Sequence, residues 1–205
     1  LLPDHNIYSK TTSGCPPILN PTKKQIKEID ENSKRFCYPG IKQVNKILET
    51  ENITAVFMAA RWSSQKEHWT RMDKSIRETI RILKKKNIQV YFMQEMESFN
   101  DKEVLKFYRR NYGPAKFVLG KIDSNFKLAR SQDTYLKLAK EEGAQIIKVS
   151  VPGFNPPFYN GLLIYRDGHH LTKQGSEILG RQMRTKFLQE NALIAVKPAK
   201  SKKNL

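Results

Sequence analysis

The chain has 205 residues, 39% of them apolar, which is enough for one α/β domain with a core of its own. No apolar run approaches the roughly 20 residues that span a bilayer, so these residues do not read as membrane-embedded. Lysine and arginine number 37 against 20 acidic residues, a net charge of +17 that would suit an anionic partner such as nucleic acid, anionic lipid or acidic polysaccharide. The basic residues are scattered, however, over Lys84 to Lys86, Arg109 and Arg110, and Lys200 to Lys203 among other places. They form no single stripe interleaved with aromatics, so a solvated lysine-rich surface is the better reading and no nucleic acid is expected. DNA binding that weakens steeply with salt would reverse that reading. The first residue is Leu1 and no signal-peptide pattern follows it, so the chain reads as cut from something longer, with any targeting or membrane segment upstream.

In chain order, "NIYSKTT" (6–12) is predicted to be a short strand and the Pro-rich "SGCPPILNP" (13–21) a loop. Residues 22–35 are polar and helical in pattern. "GIKQVNKILET" (40–50) sets Ile41, Val44, Ile47 and Leu48 on one helical face. "ITAVFMAA" (53–60) is a continuous apolar run of strand length, the signature of a buried parallel strand. A helix over 66–86 follows, with Trp69, Met72, Ile76, Ile80 and Leu83 spaced by threes and fours. Then come a buried strand "IQVYFM" (88–93), a helix over 101–110, a helix over 131–142 stopped by Gly143, and a strand "AQIIKVSV" (144–151). "PGFNPPFYNG" (152–161) reads as a long loop and "LLIY" (162–165) as a short extended piece. The last helix covers 172–190, with Leu179, Met183 and Phe187 every fourth residue. Strands alternating with helices predict a parallel sheet covered on both faces, with ligands bound beyond the carboxyl ends of its strands. One domain spans residues 1–190, and the lysine-rich residues 191–205 read as a disordered tail.

The two cysteines, Cys15 and Cys37, sit in no CxxC or other metal-ligand pattern, so zinc is not expected. Two cysteines make one disulfide in an oxidising compartment or two unrelated thiols in a reducing one, and composition does not choose between them.

The chemistry-bearing stretch is "YRDGHHLTKQG" (165–175). Asp167 stands three residues before His170 and two before His169. A serine hydroxyl is a poor nucleophile until a base takes its proton, and an imidazole suits that task. A carboxylate on the other ring nitrogen fixes tautomer and orientation. One loop carrying both groups can hold them rigidly, with Thr172 capping the next helix and Gly175 allowing that helix to pack closely. A bare D-x-x-H is common in polar turns. The longer D-x-x-H-L-T-x-x-G, late in an α/β chain and just before the terminal helix, is far more specific. His169 ranks second as the base. Glu95 and Glu97 after the 88–93 strand could make an acid/base pair, but a solvated loop is the better reading.

This segment resembles the last motif block of the SGNH hydrolase superfamily, in which Asp and His three apart complete a Ser-His-Asp triad. More narrowly, the chain is similar to the SGNH domains at the C-terminus of bacterial membrane acyltransferases that O-acetylate cell-surface polysaccharides. "SGCPP" (13–17), Cys37 in the following helical region and "AVFMAARW" (55–62) match that branch in order and spacing. The resemblance implies a three-layer α/β/α fold of flavodoxin-like type, with His170 as base and Asp167 as its orienting acid. It also implies a Cys15–Cys37 disulfide, no metal or organic cofactor, and a periplasmic location beside an upstream membrane acyltransferase domain. The partners implied are a glycan acceptor and an acyl donor.

Two departures qualify it. The family's nucleophile lies in a Gly-Asp-Ser-His block upstream of "SGCPP", and no Gly-Asp-Ser occurs in this chain. The serine and the first strand are therefore expected outside residues 1–205, and the chain alone is expected to be inactive. Ser13, Ser63 and Ser64 are the nearest serines, but none lies in a Gly-rich strand-to-helix turn that would expose its hydroxyl. Where the wider superfamily has an Asn-bearing block, this chain reads Ala59-Ala60-Arg61-Trp62. Arg61 could present donors to a developing oxyanion or form a salt bridge at the sheet edge, and the two readings weigh about equally. Trp62 could line a sugar subsite, though core is its commoner role. The alternative to an enzyme is a glycan-binding or scaffolding module that kept the fold and lost the serine.

Overall fold

The computed structural model describes residues 6–10, 15–28, 31–62, 72–96, 130–149, 151–155, 158–160 and 162–190. The helix expected over 101–110, Trp69, Glu97, Ser13, Ser63, Ser64 and the tail 191–205 lie outside them. The chain divides into two compact units: Leu2–Ser98 with Leu119–Val149, and Leu1 with Phe99–Val118 and Ser150–Leu205. Among the described residues no helix is long and apolar enough to cross a membrane.

The first unit is built on a parallel sheet in the order β1 (Ala55–Met58), β2 (Gln89–Met93) and β3 (Gln145–Ile147). The register pairs Val56 with Val90, Met58 with Phe92, and Phe92 with Ile146. Because side chains alternate along a strand, these residues share one face of the sheet. That face joins the core cluster together with Met72, Ile76, Ile80 and Leu83 of α3 (Met72–Lys85) and with Tyr135, Leu138 and Ala139 of α4 (Arg130–Glu141). On the opposite face Phe57 is exposed and stacks on Tyr91, ring centroids 4.7 Å apart. Parallel strands need a crossover between them, and α3 and α4 are those crossovers.

Local chemistry stops both helices at the point where the next strand must begin. Asn87 adopts φ 58° after α3, its N–H donates to the Lys84 carbonyl, and the Ile88 N–H reaches back to the Leu83 carbonyl. Gly143 does the same after α4 at φ 78°, with its N–H on Lys140 and the Ala144 N–H on Ala139. This pair of reverse bonds satisfies the last carbonyls of a helix and requires a left-handed residue, usually Gly or Asn. Arg77 and Arg81 on α3 both bond Glu142 just past α4, at 2.8 and 2.7 Å. The hydrogen bond from Arg81 holds the Glu142 carboxyl below the usual carboxylate range; burial opposes this and Arg77 adds to it.

The helices α1 (Lys23–Glu28) and α2 (Glu31–Thr50) precede β1. Thr22 and Gln25 cap α1 reciprocally: the Thr22 N–H donates to Gln25 Oε1 at 2.8 Å and the Gln25 N–H to Thr22 Oγ1 at 3.2 Å. The buried Gln25 amide then donates to Ser75 Oγ of α3 at 2.9 Å. Helix α2 runs through Pro39 and takes in the end of the helical pattern read over 22–35, whose start is α1, together with the pattern over 40–50. The proline removes one helical bond, but Pro39 and Arg35 are both exposed, so solvent can take the orphaned Arg35 carbonyl. The strand expected at 6–12 does not form over 6–10. Ile7 and Tyr8 are exposed, and the Tyr8 hydroxyl bonds Glu51 at 2.8 Å. This segment pairs with none of the described strands. Cys15 and Cys37 form a disulfide with Cα atoms 5.3 Å apart, and it ties the loop before α1 to the middle of α2.

The second unit holds an antiparallel meander and the last helix. The meander comprises β4 (Phe154–Asn155), β5 (Phe158–Tyr159) and β6 (Leu162–Leu163). The loop expected over 152–161 thus contains two short strands. Gly153 and Asn160, both at positive φ, supply its tight corners, and the Asn160 N–H donates to the Gly153 carbonyl at 2.9 Å. Helix α5 (Lys173–Glu190) closes the described chain.

Candidate active site

The segment 165–171 joins β6 to α5 as a closed loop. Tyr165 and Leu171 form an antiparallel bridge, and the Arg166 N–H donates to the His170 carbonyl at 2.9 Å. Its base is anchored by Ile164 and Tyr165, both fully buried. Thr172 leaves the loop into α5. Its N–H donates to the Ile164 carbonyl at 2.8 Å, and its hydroxyl oxygen accepts the Gly175 N–H at 2.9 Å, an N-cap on the third helical residue.

Gly175 is needed here for space rather than for φ. A Cβ at that position would meet the Ile164 carbonyl oxygen and lie 2.7 Å from the Ile164 Cβ. Gly175→Ala should therefore cost about 1–3 kcal/mol, the usual range for overpacking, and push α5 off the strand that carries the loop. A chemical-denaturation midpoint equal to that of the parent would show that the contact is absent.

Asp167 organises the loop. Its Oδ1 accepts the backbone N–H groups of His169 at 3.0 Å and His170 at 2.7 Å, the Asx-turn pattern by which aspartate stabilises tight turns. Its Oδ2 lies 2.8 Å from His170 Nδ1. Burial pushes the Asp167 carboxyl upward. The two backbone N–H groups and the His170 ring outweigh it, so the carboxyl sits well below the ordinary carboxylate range. An ionised carboxylate can only accept, so the proton of a neutral His170 ring must sit on Nδ1. Nε2 then carries the lone pair, on a ring whose side chain is 52% exposed. An imidazole in this tautomer can take a proton from a hydroxyl, and the carboxylate behind it stabilises the imidazolium that results.

Asp167 Oδ2 bonds the ring of His170. The Nδ1 of His169 stands 3.7 Å from Asp167 Oδ1, and its ring lies against that of His170 with centroids 4.0 Å apart and planes tilted by 45°. Arg166 Nε adds a long contact to Asp167 Oδ2 at 3.6 Å.

The remaining sequence-derived positions belong to the first unit. Arg61 lies just past the carboxyl end of β1, with its side chain 49% exposed and its Nε 4.0 Å from Glu95 Oε1. Glu95 follows β2, so both stand at the carboxyl ends of adjacent parallel strands, the edge where such sheets bind ligands. The Glu95 side chain is only 7% exposed, which replaces the solvated loop expected for it. Its place two residues past a buried strand was the only signal in the sequence. Trp62 is wholly buried, stacks on Phe92 at 4.1 Å and donates from Nε1 to the Met93 carbonyl at 2.8 Å. It therefore serves the core and lines no subsite.

Comparison with the curated proteins finds none that matches. A family described as the SGNH domain fused to AT3 (acyltransferase 3) domains matches residues 3–185. That span includes the cysteine pair, the Arg61-Trp62 strand end and the Asp167–His170 loop. Its description points to acyl transfer or hydrolysis as the class of chemistry and to an acyltransferase domain within the same protein. The chain belongs to this SGNH family.

Proposed function

We propose that this domain transfers or hydrolyses an acyl ester, acetyl on a bacterial cell-surface polysaccharide, at the periplasmic face of the inner membrane. The observation that carries the reading is the 2.8 Å bond between Asp167 Oδ2 and His170 Nδ1 inside a loop whose backbone pins the same carboxylate. The nucleophile is a serine in a segment upstream of residue 1, which also supplies the first strand of a three-layer, flavodoxin-like sheet. His170 Nε2 takes the serine proton as Oγ bonds the acyl carbon, and the carbonyl becomes an oxyanion. Collapse of that intermediate expels the first alkoxide, which leaves with the proton from Nε2. A glycan hydroxyl or water, deprotonated by the same nitrogen, then releases the acyl group. Arg61, a half-exposed guanidinium beside a buried carboxylate at a strand's carboxyl end, suits donation to the oxyanion.

The test is hydrolysis of an activated acetate ester. The protein with its upstream segment should be active, and residues 1–205 alone should not. Hydrolysis by residues 1–205 that His170→Ala abolishes would overturn the assignment of the serine upstream. A second reading rests on the lack of any Gly-Asp-Ser in the chain: a glycan-binding module without chemistry. An upstream segment that also lacks Gly-Asp-Ser, with glycan binding unaffected by His170→Ala, would favour it.

A further inference from the structure

We propose that Asp167, His169 and His170 form a three-ligand site for a zinc-class divalent cation, and that the bound ion switches off the base. Binding stands on the geometry alone, and only its inhibitory effect rests on the reading above. One carboxylate oxygen and two imidazole nitrogens are the donor set that borderline divalent metals prefer. Each residue offers one ligand atom, and the three atoms lie within 4.8 Å of one another. Zinc with bonds of about 2.0–2.2 Å sets neighbouring tetrahedral donors roughly 3.4 Å apart. The 2.8 Å from His170 Nδ1 to Oδ2 has only to open slightly, and His169 Nδ1, 3.7 Å from the other carboxylate oxygen, has to turn toward Oδ2. Both rings reach solvent, with side chains 30% and 52% exposed, so they can turn toward an ion, and open coordination positions can take water. The backbone N–H groups on Asp167 Oδ1 keep the carboxylate aimed while Oδ2 ligates, the outer support that metal-binding carboxylates use. His169 has no step in the proposed acyl transfer, and this site gives it one.

The consequence follows from proton placement. His170 can ligate through Nδ1 only after that nitrogen loses its hydrogen. The neutral ring keeps one proton, which moves to Nε2. Nε2 then donates instead of accepting and cannot take a proton from serine. The ion is thus an inhibitor of the proposed reaction and not its cofactor.

The experiment is calorimetric titration of the 205-residue chain with Zn²⁺ near neutral pH, with histidine ring nitrogens followed by NMR. One Zn²⁺ should bind per chain, and the Nδ1 signals of His169 and His170 should shift. Outer partners of a metal are worth ten- to a hundredfold in affinity and a direct ligand no less, so His169→Gln should weaken binding about tenfold or more. Absence of saturable uptake, a smaller loss in His169→Gln, or ring shifts confined to His5 and His68 would overturn the proposal. None of these readouts involves ester hydrolysis, so failure of the acyl-transfer reading would leave them unchanged.

Discussion

In the protein that carries the upstream segment, His170→Ala is expected to lower the acyl-transfer rate by roughly 10⁴- to 10⁶-fold, the range seen when a triad base is removed. Asp167→Asn is expected to cost about 10⁴-fold although the ring stays in place, because an amide can donate to Nδ1 and stabilise the wrong tautomer. His169→Ala should change the rate little, since Asp167 bonds the neighbouring ring instead. Single-turnover rates on an activated acetate ester check all three. A His169→Ala loss as large as that of His170→Ala would show that the wrong histidine has been assigned. Mild acid should not neutralise the Asp167 carboxylate. Because the Asp167 carboxyl is depressed, its contribution to loop order is complete above the ordinary value of about 3.9 and is lost only as pH falls toward the depressed one. Asp167→Asn should therefore lower stability at pH 5 no less than at pH 7.

The second large effect is on folding. Cys15 and Cys37 are 22 residues apart in sequence, and a crosslink over a loop of that length stabilises by about 3 kcal/mol. The double variant Cys15→Ala, Cys37→Ala should lose that amount, a drop in Tm of roughly 6–12 °C for a chain of this size. Calorimetry of the parent in oxidising and reducing buffer should show the same difference. Equal Tm values in the two buffers would mean that the bond contributes nothing. The cost should be felt in the first unit, because Cys37 is buried among the residues of its core.

Much of the parallel sheet was legible in the residues. "AVFM", "QVYFM" and "QII" are apolar runs of strand length, and the helices between them bury residues at spacings of three and four. Both signals are local: they come from the periods of the strand and the helix and from Gly143 at a helix end. The strand expected at residues 6–12 does not form over the described residues 6–10, for the opposite reason. Propensity can suggest an extended segment, but only a neighbour with free backbone groups makes it a strand. Of the meander, β6 falls in the extended piece read at 162–165, while β4 and β5 were missed because each is two residues long, too short for any period to show.

The candidate site divides in the same way. The spacing of Asp167, His170, Thr172 and Gly175 determined by itself which loop could hold a base and its acid, since all four act within a few residues of one another. Tertiary structure decided the rest. It turned the His170 ring onto Oδ2 and left the His169 Nδ1 3.7 Å from Oδ1. It buried Glu95 beside Arg61 and committed Trp62 to the core. Spacing along the chain limits what two residues can do together, but the direction of a side chain and the water around it are set by atoms far away in sequence.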